Sequence, residues 1–297
     1  MTDVGKFITV RANGLDFEVL EAGEGDRLAL CLHGFPEHAI SWRYQIPLLV
    51  SLGYRVWAPN QRGYGKSSRP PRVADYDISH LLNDVTGLID ASQAKSVTLV
   101  GHDWGAEVCW FYAMRPARPI ERLVIMNVPH PVLFSKALRG WRQLRRSWYI
   151  LFFQLPRLPE WFLGRRHAYA IGQIFLRSAT NPARFPKDVI AIYRDSASQA
   201  GALTAMVNWY RAARKGMGLG PDVPIIEIPT LMLWGEADAA LGKETTYGTD
   251  KYVTDLRLHY LPGVSHWTQQ DAPDRVNELL EPFLQRSVPA TGSEATP

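Results

Sequence analysis

The sequence predicts an α/β protein with a mostly parallel, eight-stranded sheet, flanking helices and an inserted helical segment. In the first half of the chain, short apolar runs alternate with segments of helical periodicity, which is typical of a parallel sheet covered on both faces. From about Pro131 to Pro224 the sequence is helix-like and shows no strand pattern. The alternation then resumes and continues to Gln285, so the helical segment interrupts a single sheet.

The elements before the helical segment are predicted in the following order. Phe7–Ala12 and Leu15–Glu21 form a hairpin, because the Asn13-Gly14 pair between them is favoured in two-residue hairpin turns. The last helix of this part ends near Pro116, since proline cannot continue a helix. The next four strands are Leu28–Leu32, Arg55–Ala58, Ser96–Val100 and Arg122–Met126. The helices between them are Trp42–Leu52, Ile78–Ala91 and Gly105–Met114.

The elements after the helical segment complete the sheet. They are the strands Thr230–Trp234 and Arg257–Leu261 and the helix Pro273–Gln285. We therefore predict a core of residues 1–130 and 225–286, with residues 131–224 as a helical cap. Residues 287–297 are small, polar and proline-containing, so we expect a disordered tail.

Composition excludes several classes of protein. The chain has 297 residues, of which 46% are hydrophobic and 21% charged, so we do not expect global disorder. It has no apolar run long enough to span a membrane, and its N-terminal residues lack the pattern of a secretory signal. Cys31 and Cys109 lie in apolar runs and predict no disulfide framework, so we expect a cytoplasmic protein.

Positive charge is concentrated in the predicted cap, around Arg139, Arg142, Arg145 and Arg146. Residues 131–225 carry 15 Lys and Arg against 4 Asp and Glu, whereas the rest of the chain carries 18 against 25. Such a segment favours either an anionic partner, nucleic acid or lipid, or a solvated helix face. We interpret it as a solvated face, because the segment is also dense in the Trp, Phe and Leu of globular elements. We expect no nucleic-acid partner, and a homodimer is a further hypothesis.

The strongest chemical signal is Gly101-His102-Asp103-Trp104-Gly105, which follows a predicted strand and opens a helix. Small residues around a central side chain form the pattern of a nucleophile elbow, with Asp103 where esterases and lipases carry Ser. The small residues permit a sharp turn that projects the carboxylate from the sheet edge, and the helix N-terminus favours its negative charge. An Asp that only caps the helix is the alternative.

A second loop can reach the same point. His33-Gly34-Phe35-Pro36-Glu37 follows the third strand, so the backbone N–H groups of Phe35 and Trp104 can converge on one oxygen. Two convergent N–H donors form an oxyanion hole. The sequence leaves the Phe35–Pro36 peptide open between cis and trans. We interpret Glu37 as a loop residue that supports the site from outside.

Candidates for the acid and the base follow the last two strands. Asp238 lies just past one strand and His266 past the next, which gives the chain order nucleophile, acid, histidine. Ligands gather at the carboxyl ends of strands in open α/β sheets, so we expect both side chains to meet Asp103. Glu236 is a rival acid, less favoured because it lies earlier in its loop. Asn127 is an uncharged alternative that could only orient the histidine.

The chain resembles the epoxide hydrolases of the α/β-hydrolase fold over roughly residues 7–285. Haloalkane dehalogenases share the Asp nucleophile, the HGFP loop and the downstream Asp and His, so the cap distinguishes the two families. Ser147–Gln154 and Asn208–Arg211 resemble the two cap motifs of epoxide hydrolases, and Tyr149 and Tyr210 fall on their ring-opening tyrosines. Gln61–Ser67 and Asn127–Pro131 resemble structural segments of the same family.

The resemblance implies that hydrophobic epoxides are hydrolysed to vicinal diols through an ester on Asp103, without a cofactor or metal. Tyrosine suits this chemistry, since a phenol with a usual pKa of about 10 is protonated at neutral pH and can donate to the epoxide oxygen. His266, oriented by Asp238, would then activate the water that attacks the ester. We expect an apolar substrate pocket. Its predicted lining is Phe35, Trp104, Phe153 and Trp267.

Other functions stay open on the sequence alone. A haloalkane dehalogenase would use the same ester and could bind halide through Trp104, but Phe35 stands where many dehalogenases have Asn. A fluoroacetate dehalogenase is less favoured, because Trp104 replaces the expected Arg. A non-catalytic ligand-binding protein of the same fold is the remote alternative. His33 and His102 neighbour the site but are interpreted as packed, hydrogen-bonded histidines.

Overall fold

The computed structural model describes residues 4–214 and 222–286, and its eight strands form one sheet. The strands are β1 Lys6–Ala12, β2 Leu15–Ala22, β3 Arg27–Leu32, β4 Arg55–Pro59, β5 Ser96–His102, β6 Arg122–Met126, β7 Thr230–Gly235 and β8 Leu256–Leu261. Their order across the sheet is β1-β2-β4-β3-β5-β6-β7-β8. β2 runs antiparallel to both of its neighbours, and β3 to β8 are parallel. The predicted mostly parallel sheet of eight strands is confirmed.

The helices lie between the strands from β3 onward, in the long segment between β6 and β7, and after β8. Before the insertion they are α1 Ile46–Ser51, α2 Ile78–Ser92 and α3 Trp104–Met114. Between β6 and β7 the structure has α4 Pro131–Ala137, α5 Trp141–Arg146, α6 Trp148–Phe152, α7 Leu158–Ser178, α8 Lys187–Ser198 and α9 Ala202–Ala213. After β8 come α10 Thr268–Asp271 and α11 Pro273–Gln285. Short 3₁₀ turns occupy Ala39–Trp42, Val73–Tyr76, Pro182–Arg184, Lys243–Thr246 and Thr249–Lys251.

The helix predicted over Trp42–Leu52 is divided in the structure. A 3₁₀ turn covers Ala39–Trp42, and α1 begins only at Ile46, with Pro47 in its first turn. Proline has no N–H to donate and is tolerated at the start of a helix but not inside it. The position of Pro47 therefore explains why one predicted helix is two shorter elements.

Strand position explains the difference in burial across the sheet. Every residue of β6 and β7 is buried, because helices cover both faces of these parallel strands. On β8, the last strand in the sheet order, Arg257 and His259 are exposed and alternate with more buried neighbours. The buried strands hold the carboxyl-end loops rigidly, and these loops carry Asp103, Asp238 and the residues after His33.

Helix α7 bends sharply in its middle. Arg166, His167 and Ala168 have φ values of 51°, 55° and 46°, so the helical hydrogen-bond ladder is interrupted there. The Arg194 guanidinium of α8 donates to the released carbonyl groups of Arg166 (3.0 Å) and His167 (2.9 Å). The bend separates a more exposed first part of α7 from a second part that packs against α8, where the Phe175 ring stacks on the Tyr193 ring at 4.3 Å.

The helices between β6 and β7 support our proposal that residues 131–224 form a cap on a core of residues 1–130 and 225–286. The predicted disordered tail, residues 287–297, lies outside the described residues, as do residues 215–221 of the cap. In the described part of the chain, each helix is too short or too polar to cross a membrane.

Candidate active site

Asp103 lies on a strained turn between β5 and α3. Its φ of 48° and ψ of −125° are unusual for a residue with a side chain, so the backbone is held there by its surroundings. Gly105 makes the turn feasible, because a Cβ on this residue would lie 2.0 Å from the Leu32 carbonyl oxygen. The turn directs the Asp103 carboxylate toward the loop after β3 and toward His266.

The loop after β3 supplies a backbone donor to the carboxylate. The N–H of Phe35 donates to Oδ1 of Asp103 at 2.6 Å, and the Phe35–Pro36 peptide is cis. Gly34 allows this approach, since a Cβ there would lie 2.2 Å from the Cβ of Asp103. Trp104, the second predicted donor, is the first residue of α3, so its N–H belongs to the unpaired first turn of that helix.

His266 bridges two carboxylates at the other side of the site. Its Nδ1 lies 2.6 Å from Oδ2 of Asp238, and its Nε2 lies 3.5 Å from Oδ2 of Asp103. The Asp238 carboxylate is fixed by the N–H groups of Ala240 (2.7 Å) and Leu241 (2.9 Å) and by the Asn127 amide (2.9 Å). Oδ2 of Asp103 is therefore directed at the imidazole while Oδ1 is held by the loop.

Electrostatics favour the charged forms of these groups. Burial raises the pKa of Asp103 and of Asp238, but the charge and hydrogen bonds of His266 outweigh burial and hold both pKa values below the usual one. Burial lowers the pKa of His266, yet the Asp238 and Asp103 carboxylates raise it well above its usual value. These interactions favour an imidazolium at His266 between the two carboxylates.

The rival acid lies elsewhere. The Glu236 carboxylate pairs with the Lys243 ammonium at 2.5 Å and is about a quarter exposed, whereas Asp238 contacts His266 directly. Asn127, which the sequence allowed only as an orienting group, donates to Asp238 rather than contacting the histidine. The described residues contain no group of three or more His, Cys, Asp or Glu side chains that could hold a metal ion.

Two tyrosines from the cap lie opposite the carboxylate. Tyr149 of α6 and Tyr210 of α9 have ring centroids 6.0 Å apart, and Phe153 packs against both rings. Burial, and after it the charge of Asp103, raises the pKa of both phenols above the usual value. Both hydroxyl groups therefore keep their protons at every ordinary pH.

A cavity of about 560 Å³ connects these groups. Asp103, His266, Tyr149 and Tyr210 all line it, as do the predicted pocket residues Phe35, Phe153 and Trp267. The fourth predicted pocket residue, Trp104, packs its ring edge-to-face against Trp209 and Tyr210, and of these three residues Tyr210 lines the cavity. Polar residues that the sequence did not indicate also line it. They are Arg146, Gln173, Arg177 and Ser178.

Comparison with known proteins identifies the family. Residues 30–273 match the family described as the alpha/beta hydrolase fold. The chain is 37% identical over 286 residues to epoxide hydrolase 4 of Mus musculus, which covers 94% of this chain and 79% of that protein. It is 34% identical over 283 residues to epoxide hydrolase 2 of Caenorhabditis elegans, again covering 94% and 79%. The chain belongs to the epoxide hydrolases of the α/β-hydrolase fold.

Solved structures of this family superpose closely on the chain. The crystal structure of Bacillus megaterium epoxide hydrolase in complex with an inhibitor matches with a TM-score of 0.85 at 27% identity, covering 95% of this chain and 100% of that one. Epoxide hydrolase A from Mycobacterium thermoresistibile matches with a TM-score of 0.80 at 32% identity, covering 94% and 98%. The similarity extends over cap and core together.

Behind the active site of this epoxide hydrolase family member lies a buried contact between Glu37 and His102 that sequence reasoning missed. Glu37 and His102 are fully buried, with Oε2 of Glu37 2.7 Å from Nδ1 of His102, while Nε2 of His102 lies 2.8 Å from the carbonyl oxygen of His266. The second carboxylate oxygen of Glu37 accepts from the Gln269 and Gln270 amides. His102 was expected to be packed and hydrogen-bonded, and it is; the link through Glu37 to α10 had no local sequence signal.

Proposed function

We propose that this chain hydrolyses hydrophobic epoxides to vicinal diols through a covalent ester on Asp103. The observation that supports the proposal most strongly is the convergence of a carboxylate, an imidazole and two phenols on one cavity of about 560 Å³. The carboxylate and imidazole come from the core, and the phenols come from the cap. Such a combination suits a reaction that expels an alkoxide and then hydrolyses an ester.

In the first step, Oδ2 of Asp103 attacks one carbon of the epoxide ring. The new bond joins Oδ2 to that carbon, and the electron pair of the breaking C–O bond moves to the epoxide oxygen. Tyr149 and Tyr210 donate hydrogen bonds to this oxygen, and one of them transfers its proton. Because the pKa of both phenols is raised, the phenolate that remains is a strong base and regains a proton readily.

In the second step, His266 removes a proton from water, and the resulting hydroxide attacks the carbonyl carbon of the ester. The oxyanion that forms at Oδ1 is held by the Phe35 N–H, which already lies 2.6 Å from this atom, and by the Trp104 N–H. Collapse of this intermediate breaks the acyl C–O bond, releases the diol and restores the Asp103 carboxylate. Asp238 keeps the imidazole oriented throughout.

The charges of the site explain how His266 can hold a proton in the resting enzyme and act as a base after the ester has formed. In the resting enzyme, two carboxylates hold the pKa of His266 high. Ester formation neutralises Asp103 and removes one of these two charges, so the pKa of His266 falls. The imidazolium can then lose its proton, which passes through solvent to the phenolate left by the first step, and the neutral ring becomes the base that the second step requires.

Apolar side chains set the class of substrate. Phe35, Phe153 and Trp267 line the cavity beside the reacting groups, so the site favours epoxides with aromatic or long aliphatic substituents. A haloalkane dehalogenase is less favoured, since the Trp104 ring does not line the cavity to bind a halide. A non-catalytic binder would not need the strained turn at Asp103. A cytoplasmic location and a homodimer stay predictions.

A single-turnover experiment in ¹⁸O-water tests the ester. Hydrolysis at the acyl carbon places the label in the Asp103 carboxylate, whereas direct attack of water on the epoxide places it in the diol. We expect the label on Asp103, found by peptide mass spectrometry, after one turnover of a styrene-type epoxide. Label that appears first in the diol contradicts the mechanism.

Trapping the intermediate provides a second test. His266→Gln should stop the second step but not the first, so intact-protein mass spectrometry should show an adduct with the full mass of the epoxide. Asp103→Asn is the matched control and should form no adduct. A bromoalkane offered in parallel separates the alternative, because a dehalogenase would release halide and add the substrate mass less hydrogen bromide.

A further inference from the structure

The outer face of α5, α6 and the start of α7 exposes a dense group of large apolar side chains. Eight of the fourteen exposed large apolar residues among those described lie within this stretch, each between 44% and 68% exposed. Soluble proteins rarely leave a contiguous patch of this kind uncovered without a binding function. We refer to these eight residues as the Trp-Leu surface. It comprises Trp141, Leu144, Trp148, Leu151, Leu155, Leu158, Trp161 and Phe162.

Helix α5 has the opposite burial pattern to that of an ordinary surface helix. Its only buried residue is the polar Gln143, whose amide donates to the Ala240 carbonyl at 2.8 Å and to the Ser147 hydroxyl at 3.0 Å. Trp141 and Leu144 are exposed instead. Surface helices normally bury their apolar side chains and expose the polar ones. Helix α5 therefore presents apolar side chains to solvent beside its arginines.

The Trp-Leu surface is continuous with the mouth of the active-site cavity. The Phe152 ring lies 6.1 Å from the Trp148 ring and 6.0 Å from the Phe162 ring, so contacts between aromatic side chains connect α6 to α7. All three of these residues also line the cavity, together with the partly exposed Arg146. A partner bound to this surface would therefore lie directly at the entrance for substrate.

Most of the charged residues around this surface are arginines. Glu244, from outside these helices, also reaches the region, and its carboxylate lies 3.7 Å from the Arg146 guanidinium. Arg142 and Arg145 lie 6.0 and 5.7 Å from the Trp141 ring, and Arg165 lies 4.6 Å from the Trp161 ring. Between residues 131 and 187 the only acidic residue is Glu160, and its carboxylate is bound by Arg211 at 2.6 Å. A partner that fits must present both negative charge and apolar volume.

We propose that the Trp-Leu surface and its arginines dock the protein on an anionic lipid bilayer, with the cavity mouth facing the membrane. Tryptophan and arginine are favoured at the boundary between headgroups and acyl chains, where one end of the side chain is apolar and the other is wet. A second copy of the chain fits less well, because a two-fold interface would place one arginine cluster near its own copy. Nucleic acid would pair with the arginines but leave the leucines without a partner.

Vesicle binding tests the proposal without reference to catalysis. The full chain is sedimented with vesicles of phosphatidylcholine alone or of phosphatidylcholine and phosphatidylglycerol in equal amounts, at about 0.1 M salt. We expect binding to the anionic vesicles only, weakening as salt rises. Removing two arginines with Arg142→Glu and Arg145→Glu together should weaken binding by at least about 25-fold, at roughly fivefold per basic residue near such a surface.

Matched variants separate charge from apolar insertion. Trp141→Ser with Leu144→Ser should weaken vesicle binding while keeping every arginine. Lys95→Glu with Arg257→Glu makes the same change of charge near the amino ends of β5 and β8, remote from the cavity, and should leave binding unchanged. None of these residues lines the cavity, so turnover of a water-soluble epoxide should be the same in all variants and shows that they fold.

Four outcomes would overturn the proposal. The first is absence of binding to anionic vesicles by the unmodified chain. The second is equal loss of binding in the Lys95→Glu, Arg257→Glu control. The third is a concentration-dependent dimer in sedimentation velocity that Trp141→Ser with Leu144→Ser abolishes, without vesicle binding, which would assign the surface to a second copy. Salt-sensitive binding of single-stranded DNA in place of vesicles would likewise contradict a lipid partner.

Discussion

The core side and the cap side of the cavity carry reacting groups of different charge. On the core side, Asp238 and Glu37 are buried carboxylates and Asp103 is a partly buried one, and each accepts hydrogen bonds from the backbone or from histidine. On the cap side, the reacting groups are the neutral phenols of Tyr149 and Tyr210 among aromatic rings. Charge is placed where the nucleophile and base must be fixed, and neutral donors are placed where the substrate must enter an apolar space.

This difference has a physical origin. A buried carboxylate is stable only where donors replace the lost water, and the carboxyl ends of parallel strands provide rigid loops with free N–H groups. The described residues of the cap contain no such ends of strands, so a carboxylate in place of the two phenols would lack these backbone donors. A phenol needs no such compensation, because it is neutral until the moment of proton transfer.

Loss of the two phenol donors on the cap side should have the largest effect, which is on the rate of ester formation. Tyr149→Phe and Tyr210→Phe should each lower the rate of ester formation, and the double variant should lower it by about 10²–10⁴-fold. Each single change should lose less, because the other phenol still donates to the same oxygen. Pre-steady-state rates of adduct formation, measured in the His266→Gln background, isolate this step.

Tyr169→Phe is the control for this experiment. Tyr169 is an exposed cap tyrosine that does not line the cavity, so its loss should leave the rate unchanged. Normal ring opening by the double variant would mean that the core side alone performs the chemistry. The assignment of the two phenols would then be wrong.

Sequence reasoning was most successful where information is local. The strand positions follow from short apolar runs, and the turn at Asp103 follows from five consecutive residues. The Glu37–His102 pair joins residues 65 positions apart, and the Glu37–Gln270 bond joins residues 233 apart, so no window of sequence contains either contact. The packing of Trp104 behind Tyr210 and the exposure of Trp141 likewise depend on how distant helices meet.

A smaller effect is expected from removing the carboxylate of the buried Glu37–His102 contact. Burial raises the pKa of Glu37, but the His102 charge and the donors around it outweigh burial and lower the pKa overall. Stability from Glu37 is therefore present above its unfolded pKa and is lost as pH falls through the folded value. Glu37→Gln should reduce the free energy of unfolding at pH 7 by about 3 kcal/mol, because it removes a buried carboxylate that lies 2.7 Å from Nδ1 of His102 and accepts hydrogen bonds from the Gln269 and Gln270 amides.

Urea unfolding at pH 7 and at pH 3–4 measures this contribution. The difference between Glu37→Gln and the unmodified chain should shrink toward the acidic end. Glu24→Gln, at an exposed carboxylate, is the control and should show no difference at either pH. A deficit that stays constant down to low pH would show that the side chain contributes by packing and not by charge.

The smallest effect concerns Glu107, the one carboxyl group near the core side that departs from the pattern. It lies one helical turn beyond Asp103 on α3, is buried, and its Oε1 has no hydrogen-bond partner among the described residues. Burial, and after it the charge of Asp103, raises the pKa of Glu107 to about 8. The contrast between Asp103 and Glu107 indicates that donors, and not burial, determine which carboxyl group is charged.

The sign of the pH dependence tests that conclusion. The folded state keeps the proton of Glu107 up to about pH 8, whereas the unfolded chain loses it near the usual value of 4.5, so stability from this group falls as pH rises between them. Glu107→Gln resembles the protonated acid and removes this dependence. Compared with the unmodified chain, the variant should be nearly equal in stability at pH 4 and more stable by about 2 kcal/mol at pH 6. Glu24→Gln changes an exposed carboxylate and should show no such pH-dependent difference in stability. If the stability of Glu107→Gln depends on pH as strongly as that of the unmodified chain, Glu107 finds donors and is charged like Asp103.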